Sequence, residues 1–216
     1  MTMPLTRVRR EIASGAVHVP DWLSVEQQRQ LVAACREWAA GPVPMRSARL
    51  PGGHVMSVQT VCLGWHWQPY RYTRTADGVL IGPFPDWLAQ LGREAVLAAY
   101  GDTERAAAYR PDTALINFYD DGARMGMHQD KDEHSAEPVV SLSIGNSCLF
   151  RFGNSENRGR PYHDVELCSG DLFVFGGATR FAFHGVPKVY PGTADSRTGL
   201  STGRLNITLR VTGLCD

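Results

Sequence analysis

The segment TALINFY, residues 113–119, marks the point at which the hydrophobic period of the chain changes from 3.6 to 2. Short segments rich in β-branched and aromatic residues follow it, separated by Gly, Asn, Asp and Pro: VVSLSI, CLFRF, DVELC, DLFVF, FAFHGV and RLNITLRV. Because no helical segment lies between them, they favour a sandwich or jelly roll over βαβ units. The second half of the chain is therefore predicted to be a jelly-roll core.

Two amphipathic helices are predicted ahead of these strands. The first lies within LSVEQQRQLVAACREWAA, where Ser24 and Gln27 have capping-box spacing, and should end near Gly41. The second lies within PDWLAQLGREAVLAAYG, with Pro85 near its first turn and Gly101 as its stop. We expect both helices to brace one sheet, so the predicted fold class is α+β and mainly β.

The segment between the helices, residues 42–84, has no clean period and contains the aromatic cluster GWHWQPYRY. We interpret it as a lid or as an irregular part of an N-terminal extension. The predicted organisation is a single domain over residues 1–216. About residues 1–110 would form the extension with the helices and the lid, and about residues 111–216 would form the jelly-roll core.

Charge and cysteine content restrict the class of protein. The 22 basic residues balance the 22 acidic ones, so a nucleic-acid partner would have to bind a local basic patch. The five cysteines are odd in number and include no CxxC pair, which indicates reduced thiols and a cytoplasmic protein. We also expect no targeting segment and no membrane partner, because no run of about 18 apolar residues occurs.

The segment MHQDKDE, residues 127–133, concentrates charge and contains a candidate metal site. His128 and Asp130 are two positions apart, so on an extended segment both side chains project to the same side and can bind one cation. Without a third ligand, a solvated turn is the simpler interpretation. His184 is a candidate third ligand, although a lone histidine in an apolar strand is more often a hydrogen-bonded core residue. Two histidines and one carboxylate form the facial triad of non-haem Fe(II) oxygenases.

The strand RLNITLRV, residues 204–211, alternates between an apolar face and a polar face. The polar face carries Arg204, Asn206, Thr208 and Arg210. It is either solvated or turned into the barrel, where its groups need a partner, and Asn117 and Tyr119 share a face of TALINFY in the same way. Iron in such a site needs a reductant for O2. A dicarboxylic oxo acid could chelate the metal and pair with an arginine, which favours 2-oxoglutarate.

The combination of these motifs resembles the AlkB-type Fe(II)- and 2-oxoglutarate-dependent dioxygenases, and the bacterial AlkB branch in particular. The match extends from about Gly52 to Arg210, through PGGHVMSV, LGW, INFYDDGARMGMHQDKDE, VVSLSIG, FRFG, GDLFVFGG, FHGV and RLNITLR. The resemblance implies a double-stranded β-helix, that is a jelly roll, with supporting N-terminal helices and a nucleotide-recognition lid.

The resemblance also implies roles for the matching positions, in three groups. The catalytic metal ligands would be His128, Asp130 and His184. The residues that bind 2-oxoglutarate would be Arg204 and Arg210 through its carboxylates, with Asn117, Tyr119 and Asn206 through further hydrogen bonds. The residues that contact the substrate nucleotide would be Trp65, Tyr70, Asp132 and Arg158.

The implied reaction is oxidative dealkylation of N-alkylated bases such as 1-methyladenine and 3-methylcytosine, in single- or double-stranded DNA and also in RNA. Fe(II), 2-oxoglutarate and O2 would be the cofactor and cosubstrates. The hydroxylated alkyl group would leave as an aldehyde, with succinate and CO2 as the other products. Because these lesions break the base pair, flipping such a base out of a duplex costs less than flipping a normal one. We expect a monomer.

A positively charged alkylated base would be favoured between an aromatic face and a carboxylate, through cation–π attraction and charge pairing. Trp65 and Asp132 fit these roles in the sequence. A buried core tryptophan is an equally good interpretation of Trp65, and a solvated turn residue is an alternative for Asp132.

Two alternatives remain at the level of the sequence. The same metal and 2-oxoglutarate site could serve a tRNA base, a protein side chain or a small molecule, because the lid and not the triad sets the target. A jelly-roll module that only binds a metal or another ligand is the alternative outside enzymes. Two arginines and an asparagine on one inward face argue against that module, because a simple metal-binding site needs no second, anionic ligand.

Overall fold

The structure is a computed structural model that describes residues 7–215. The helices are α1 Val25–Ala39, α2 Asp86–Tyr100 and α3 Thr103–Ala108, with short 3-10 turns at Gly177–Thr179 and Ser196–Thr198. The strands are β1 Arg10–Ala13, β2 Ala16–Val19, β3 Arg46–Arg49, β4 Val55–Leu63, β5 His66–Gln68, β6 Arg71–Thr73, β7 Thr75–Ala76, β8 Val79–Leu80, β9 Thr113–Tyr119, β10 Met125–His128, β11 Val139–Gly145, β12 Cys148–Phe152, β13 His163–Leu167, β14 Leu172–Phe175, β15 His184–Val189 and β16 Arg204–Arg210.

The strands form two main antiparallel sheets. The large sheet has the order β1-β2-β14-β11-β16-β9-β4-β3, and the small sheet has the order β10-β15-β12-β13. Two small hairpins, β5–β6 and β7–β8, follow β4 in the chain. The sheets share an apolar core, which is the arrangement of a jelly roll. This agrees with the predicted fold class.

Two apolar cores lie on opposite faces of the large sheet. One core joins the helices to the sheet and contains Leu31 of α1, Val96 of α2 and Ile207 of β16. The other lies between the sheets and contains Phe150 of β12 and Phe173 of β14. Strand β16 therefore turns its apolar side chains toward the helices and its polar side chains into the barrel. The predicted alternation is confirmed, and of the two interpretations of the polar face the inward one is correct.

The two predicted helices are present. The Ser24 side chain accepts a hydrogen bond from the backbone N–H of Gln27, and the Gln27 side chain accepts one from the backbone N–H of Ser24, which completes the capping box of α1. Helix α2 ends at Gly101, which adopts the left-handed conformation that favours glycine at this position. Helix α3 was not predicted from the sequence.

The prediction for residues 42–84 is wrong in part, because β3 and the nine-residue β4 are regular members of the large sheet. The alternation of β4 is hidden because both of its faces are buried near its end. Val61 and Leu63 pack in the core below the helices, whereas Cys62 packs in a separate cluster with Trp65. Strands from before and after residue 110 lie in one sheet, so that boundary divides the sequence but not the sheet.

Only the second half of the segment FAFHGV belongs to a strand, because β15 begins at His184 and a 3-10 turn precedes it. Within residues 7–215, no helix combines the length and the apolar character that a membrane crossing requires.

Candidate metal centre

The two histidines of the predicted triad are brought together by the pairing of β10 with β15. His128 ends β10 and His184 begins β15, and the two residues are partners in the antiparallel register. Their ring centroids are 4.5 Å apart. Asp130 follows β10, and one ligand atom from each of the three residues lies within 4.8 Å of the others. The structure thus collects the three predicted metal ligands at one end of the small sheet.

Hydrogen bonds orient both imidazole rings toward the carboxylate. His128 Nδ1 lies 3.0 Å from the carbonyl oxygen of Gly126, and His184 Nδ1 lies 3.0 Å from that of Ala182. Because a carbonyl can only accept, these contacts place the proton on Nδ1 and leave the lone pair on Nε2. The two Nε2 atoms lie 3.6 and 3.5 Å from the carboxylate oxygens of Asp130. Such backbone contacts are the usual support of metal-binding histidines.

The charge state of these residues suits a cation. Burial opposes the ionisation of Asp130, but Arg210 and His184 outweigh it and hold the pKa of Asp130 well below its usual range. Burial, together with His128, lowers the pKa of His184, so its ring is neutral near pH 7. Asp130 Oδ2 is buried and lies 2.8 Å from Arg210 Nη2. A metal ion would bind the ionised carboxylate together with the lone pairs of both Nε2 atoms, so the three side chains fit Fe(II).

The polar face of β16 lines the same pocket as the triad. All five residues predicted to bind 2-oxoglutarate lie in it: Asn117, Tyr119, Arg204, Asn206 and Arg210. Arg204 is 1% exposed, donates to Ser143 Oγ and to the carbonyl oxygen of Leu205, and pairs with no carboxylate within residues 7–215. Its Nε has no hydrogen-bond partner there. An unpaired buried guanidinium is costly, and a carboxylate of 2-oxoglutarate would fit it.

Arg210 is already engaged by protein carboxylates, unlike Arg204. Its Nη2 lies 2.8 Å from Asp130 Oδ2, and its Nη1 lies 2.9 Å from Glu133 Oε1. Tyr72 donates its hydroxyl hydrogen to the same Glu133 oxygen at 2.5 Å. Arg180 pairs with the other Glu133 oxygen at 3.0 Å. Only Nε of Arg210 is left without a partner among the described residues, and it remains available to a ligand.

The four residues predicted to contact the nucleotide do not line this pocket. Trp65 is buried, with the Arg74 guanidinium 3.7 Å from its ring centroid. Tyr70 is 68% exposed at the tip of the β5–β6 hairpin. Arg158 is exposed in the loop between β12 and β13. Asp132 lies two residues after Asp130 and accepts a hydrogen bond from Trp67 Nε1. The substrate roles of these residues remain predictions.

Several residues around the centre were not identified from the sequence. Glu133 lies in MHQDKDE and Tyr72 lies in GWHWQPYRY. Neither segment predicts that these two side chains meet. Arg180 contacts the segment after β10: its Nη1 donates to the carbonyl oxygen of Asp130 at 2.6 Å, and its Nε donates to that of Glu137 at 2.7 Å. It thereby fixes the segment after β10.

An antiparallel jelly roll that holds two histidines and one carboxylate around one point has the architecture of mononuclear non-haem metal enzymes. The particular family follows from comparison with known proteins. The chain belongs to the 2OG-Fe(II) oxygenase superfamily, whose family model matches residues 15–210. The centre is accordingly one for Fe(II) and 2-oxoglutarate.

Individual relatives support this assignment. The alpha-ketoglutarate-dependent dioxygenase AlkB homolog of Caulobacter vibrioides is 39% identical over 88% of this chain and 84% of that protein. The DNA N(6)-methyladenine demethylase ALKBH1D of Arabidopsis thaliana is 32% identical over 97% of this chain and 52% of that protein. The solved structure of OsALKBH1 superposes with a TM-score of 0.81 at 30% identity, covering 94% of this chain and all of that one.

These matches confirm the predicted family and the predicted jelly-roll fold. The chain spans about half the length of the Arabidopsis relatives ALKBH1D and ALKBH1C.

Proposed function

We propose that this chain is an Fe(II)- and 2-oxoglutarate-dependent dioxygenase that removes alkyl groups from the nitrogens of DNA bases, of the 1-methyladenine and 3-methylcytosine type. The observation that carries the proposal is the buried, unpaired guanidinium of Arg204 beside the triad. A module that only holds a metal would not maintain such a cation. A metal together with a dicarboxylate ligand accounts for both features.

The residues of the pocket divide the work between metal and cosubstrate. His128, Asp130 and His184 would hold Fe(II) through two neutral imidazoles and one carboxylate. Arg204 would anchor one carboxylate of 2-oxoglutarate by a charge-assisted hydrogen bond, and Arg210 Nε would donate to the other end. When bound, Fe(II), 2-oxoglutarate and O2 supply the oxidation of the alkyl carbon, with release of succinate and CO2. The apolar neighbours Phe150 and Phe175 limit the access of water to the pocket.

A nucleobase substrate is supported by the surroundings of the centre. Asp132 follows the triad directly and offers a carboxylate to a cationic base. Arg46, Arg49 and Arg71 are exposed in β3 and β6 and suit contact with phosphates. The Arabidopsis relatives ALKBH1D and ALKBH1C are named for demethylation of N6-methyladenine in DNA, which makes that base a second candidate substrate. RNA as a further substrate, a monomeric state and a cytoplasmic location remain predictions.

Loss of the methyl group from a short single-stranded oligonucleotide tests the proposal. Oligonucleotides that contain 3-methylcytosine, 1-methyladenine or N6-methyladenine would be incubated with protein, Fe(II), ascorbate and 2-oxoglutarate, and analysed by mass spectrometry. We expect demethylation of the first two that depends on both Fe(II) and 2-oxoglutarate. Demethylation of N6-methyladenine alone would select the second candidate. Succinate formation with every oligonucleotide unchanged would place the substrate outside these bases.

A matched pair of histidine variants completes the test. His184→Ala removes a proposed ligand and should abolish demethylation while the far-ultraviolet circular dichroism spectrum is kept. His163→Ala alters an exposed histidine of β13 and should behave as the unmodified protein. Full activity of the His184→Ala variant would contradict the assignment of His184 as a metal ligand.

A further inference from the structure

The lid hairpin β5–β6 contacts the segment after the metal centre through two side chains of one face. Trp67 of β5 and Tyr72 of β6 are cross-strand partners, so their side chains project to the same side. Trp67 Nε1 donates to Asp132 Oδ2 at 2.7 Å, and Tyr72 donates its hydroxyl hydrogen to Glu133 Oε1 at 2.5 Å. The hairpin is thus bonded to two consecutive acidic residues.

The Tyr72 contact makes the hairpin a fixed part of the site. Tyr72 also accepts a hydrogen bond from Arg210 Nη1 at 3.1 Å, and Arg210 in turn pairs with Asp130. Both Tyr72 and Glu133 are buried. Because the hairpin is anchored at this buried end, the indole of Trp67 is held at a set distance from the metal ligands. It can therefore define where Asp132 points.

We propose that Trp67 is a positioning residue for Asp132: it binds one carboxylate oxygen and leaves Oδ1 to accept an N–H from the substrate base. The inference rests on the proposed function, because it assumes a base as substrate. An indole nitrogen donates and never accepts, so it pairs with a carboxylate oxygen in one orientation only. Asp132 Oδ1 receives no hydrogen bond from the described part of the chain. An exocyclic amino group of an alkylated base fits that remaining acceptor.

The lid tryptophans would then have different tasks. Trp65 is 7% exposed and packs in the cluster with Cys62 and Leu115, with Arg74 over its ring. Trp67 is only half-buried and reaches the carboxylate. Specificity for a base with an N–H donor would depend on the orientation that Trp67 gives to Asp132, not on Trp65 alone.

A double-mutant cycle separates positioning from simple packing. Trp67→Phe keeps an aromatic ring and removes the N–H, Asp132→Ala removes the acceptor, and the third variant combines both. The rate of demethylation of the 3-methylcytosine oligonucleotide would be divided by each variant's own succinate formation without oligonucleotide. We expect Trp67→Phe to reduce kcat/KM by about tenfold, mainly through KM, as one hydrogen bond to a charged group predicts. In the Asp132→Ala background, Trp67→Phe should have no further effect.

The matched control is Trp87→Phe. Trp87 is 49% exposed on α2, stacks on Trp38 of α1 and lies outside the pocket of the metal centre. This variant should leave kcat/KM unchanged. An equal effect of Trp67→Phe in both backgrounds, or none in either, would overturn the proposal, because Trp67 would then act by packing or not at all.

A second measurement does not depend on turnover. In the proton NMR spectrum of the protein, the indole N–H of Trp67 should exchange slowly with solvent, and its resonance should shift in the Asp132→Ala variant. It should stay protected from exchange when the oligonucleotide binds. An unchanged signal in Asp132→Ala, or loss of protection on binding, would contradict the proposed arrangement. If the unmodified protein forms succinate but leaves 3-methylcytosine intact, the proposed substrate fails, and the indole signal still decides whether Trp67 positions Asp132.

Discussion

Arg210 Nη2 lies 2.8 Å from Asp130 Oδ2, so a buried guanidinium is bonded directly to the carboxylate of the metal triad. Glu133 binds the other side of Arg210 and also pairs with Arg180. These two arginines and two carboxylates cancel one another in charge. The charge of a bound Fe(II) and that of Arg204 are then left for an anionic ligand to offset, which explains how one pocket can require a metal and a dicarboxylate together.

Glu133→Gln should destabilise the fold strongly. The substitution removes the only charge that Arg180 pairs with among the described residues, and it weakens the contacts of Arg210 and Tyr72. Breaking one side of a buried ion pair costs roughly 3–5 kcal/mol. Denaturant unfolding would measure the loss, with Glu166→Gln on the exposed face of β13 as a control expected within about 0.5 kcal/mol of the unmodified protein. A loss below about 1 kcal/mol for Glu133→Gln would contradict this account.

Arg204→Met should remove the response to 2-oxoglutarate without weakening the ligand-free protein. In the unmodified protein with Mn(II), 2-oxoglutarate at a hundred times its Kd should add about 2.7 kcal/mol to the free energy of unfolding. Without metal the effect should be small, because chelation is lost. Methionine takes away an unpaired buried charge, so the ligand-free variant should be as stable as the original.

Thermal unfolding with and without Mn(II) and 2-oxoglutarate checks this expectation for Arg204. Arg197→Met, which changes an exposed arginine paired with Asp195, is the control and should keep the full response. A metal-independent response, or a full response of Arg204→Met, would favour a simple binding module or a different anchor for the ligand.

Asp171→Asn should destabilise the protein at neutral pH and less so in acid. Asp171 is fully buried and accepts hydrogen bonds from His18 Nε2 and from the guanidinium of Arg7. Burial opposes its ionisation, but the hydrogen bonds from His18, Arg7 and two backbone N–H groups lower the pKa of Asp171. A depressed pKa in the folded state contributes stability above the unfolded value of about 3.9, and that stability is lost as the pH falls through the folded pKa.

The measurement for Asp171 is urea unfolding at neutral pH and again below about pH 4. We expect the free energy of unfolding of Asp171→Asn to be lower than that of the unmodified protein by roughly 1–3 kcal/mol at neutral pH, and this difference to become smaller in acid. The control Asp164→Asn breaks a surface pair with Arg151 and should cost less than about 1 kcal/mol. A loss for Asp171→Asn that stays constant with pH would show that shape and not charge determines the role of this residue.

Local patterns in the sequence predicted the parts of the structure that depend on neighbouring residues. The alternation of β16 predicted that Arg204 and Arg210 share one face, and the HxD spacing predicted that two ligands lie together. The structure shows that this face is turned into the barrel, which the alternation alone left open. Strand β4 was missed because burial on both faces removes its period. The pairing of Trp67 with Asp132 joins residues 65 positions apart, and no spacing rule reports a contact between a lid hairpin and a loop.

Gly64→Ala should damage both stability and substrate turnover, because Gly64 connects β4 to the lid hairpin at a point where a side chain does not fit. Its φ is +73°, and an added Cβ would lie 2.0 Å from the carbonyl oxygen of Asp112. The left-handed conformation costs alanine about 1 kcal/mol and the overlap about 1–3 kcal/mol more. Gly78→Ala, at φ +80° with nothing within 4 Å, shows the conformational cost alone. The free energy of unfolding, measured with denaturant, and the rate of demethylation of 3-methylcytosine should both fall more for Gly64→Ala than for Gly78→Ala. The reason is that relief of the overlap must displace the hairpin that carries Trp67. Equal losses for the two variants would show that the hairpin tolerates the displacement.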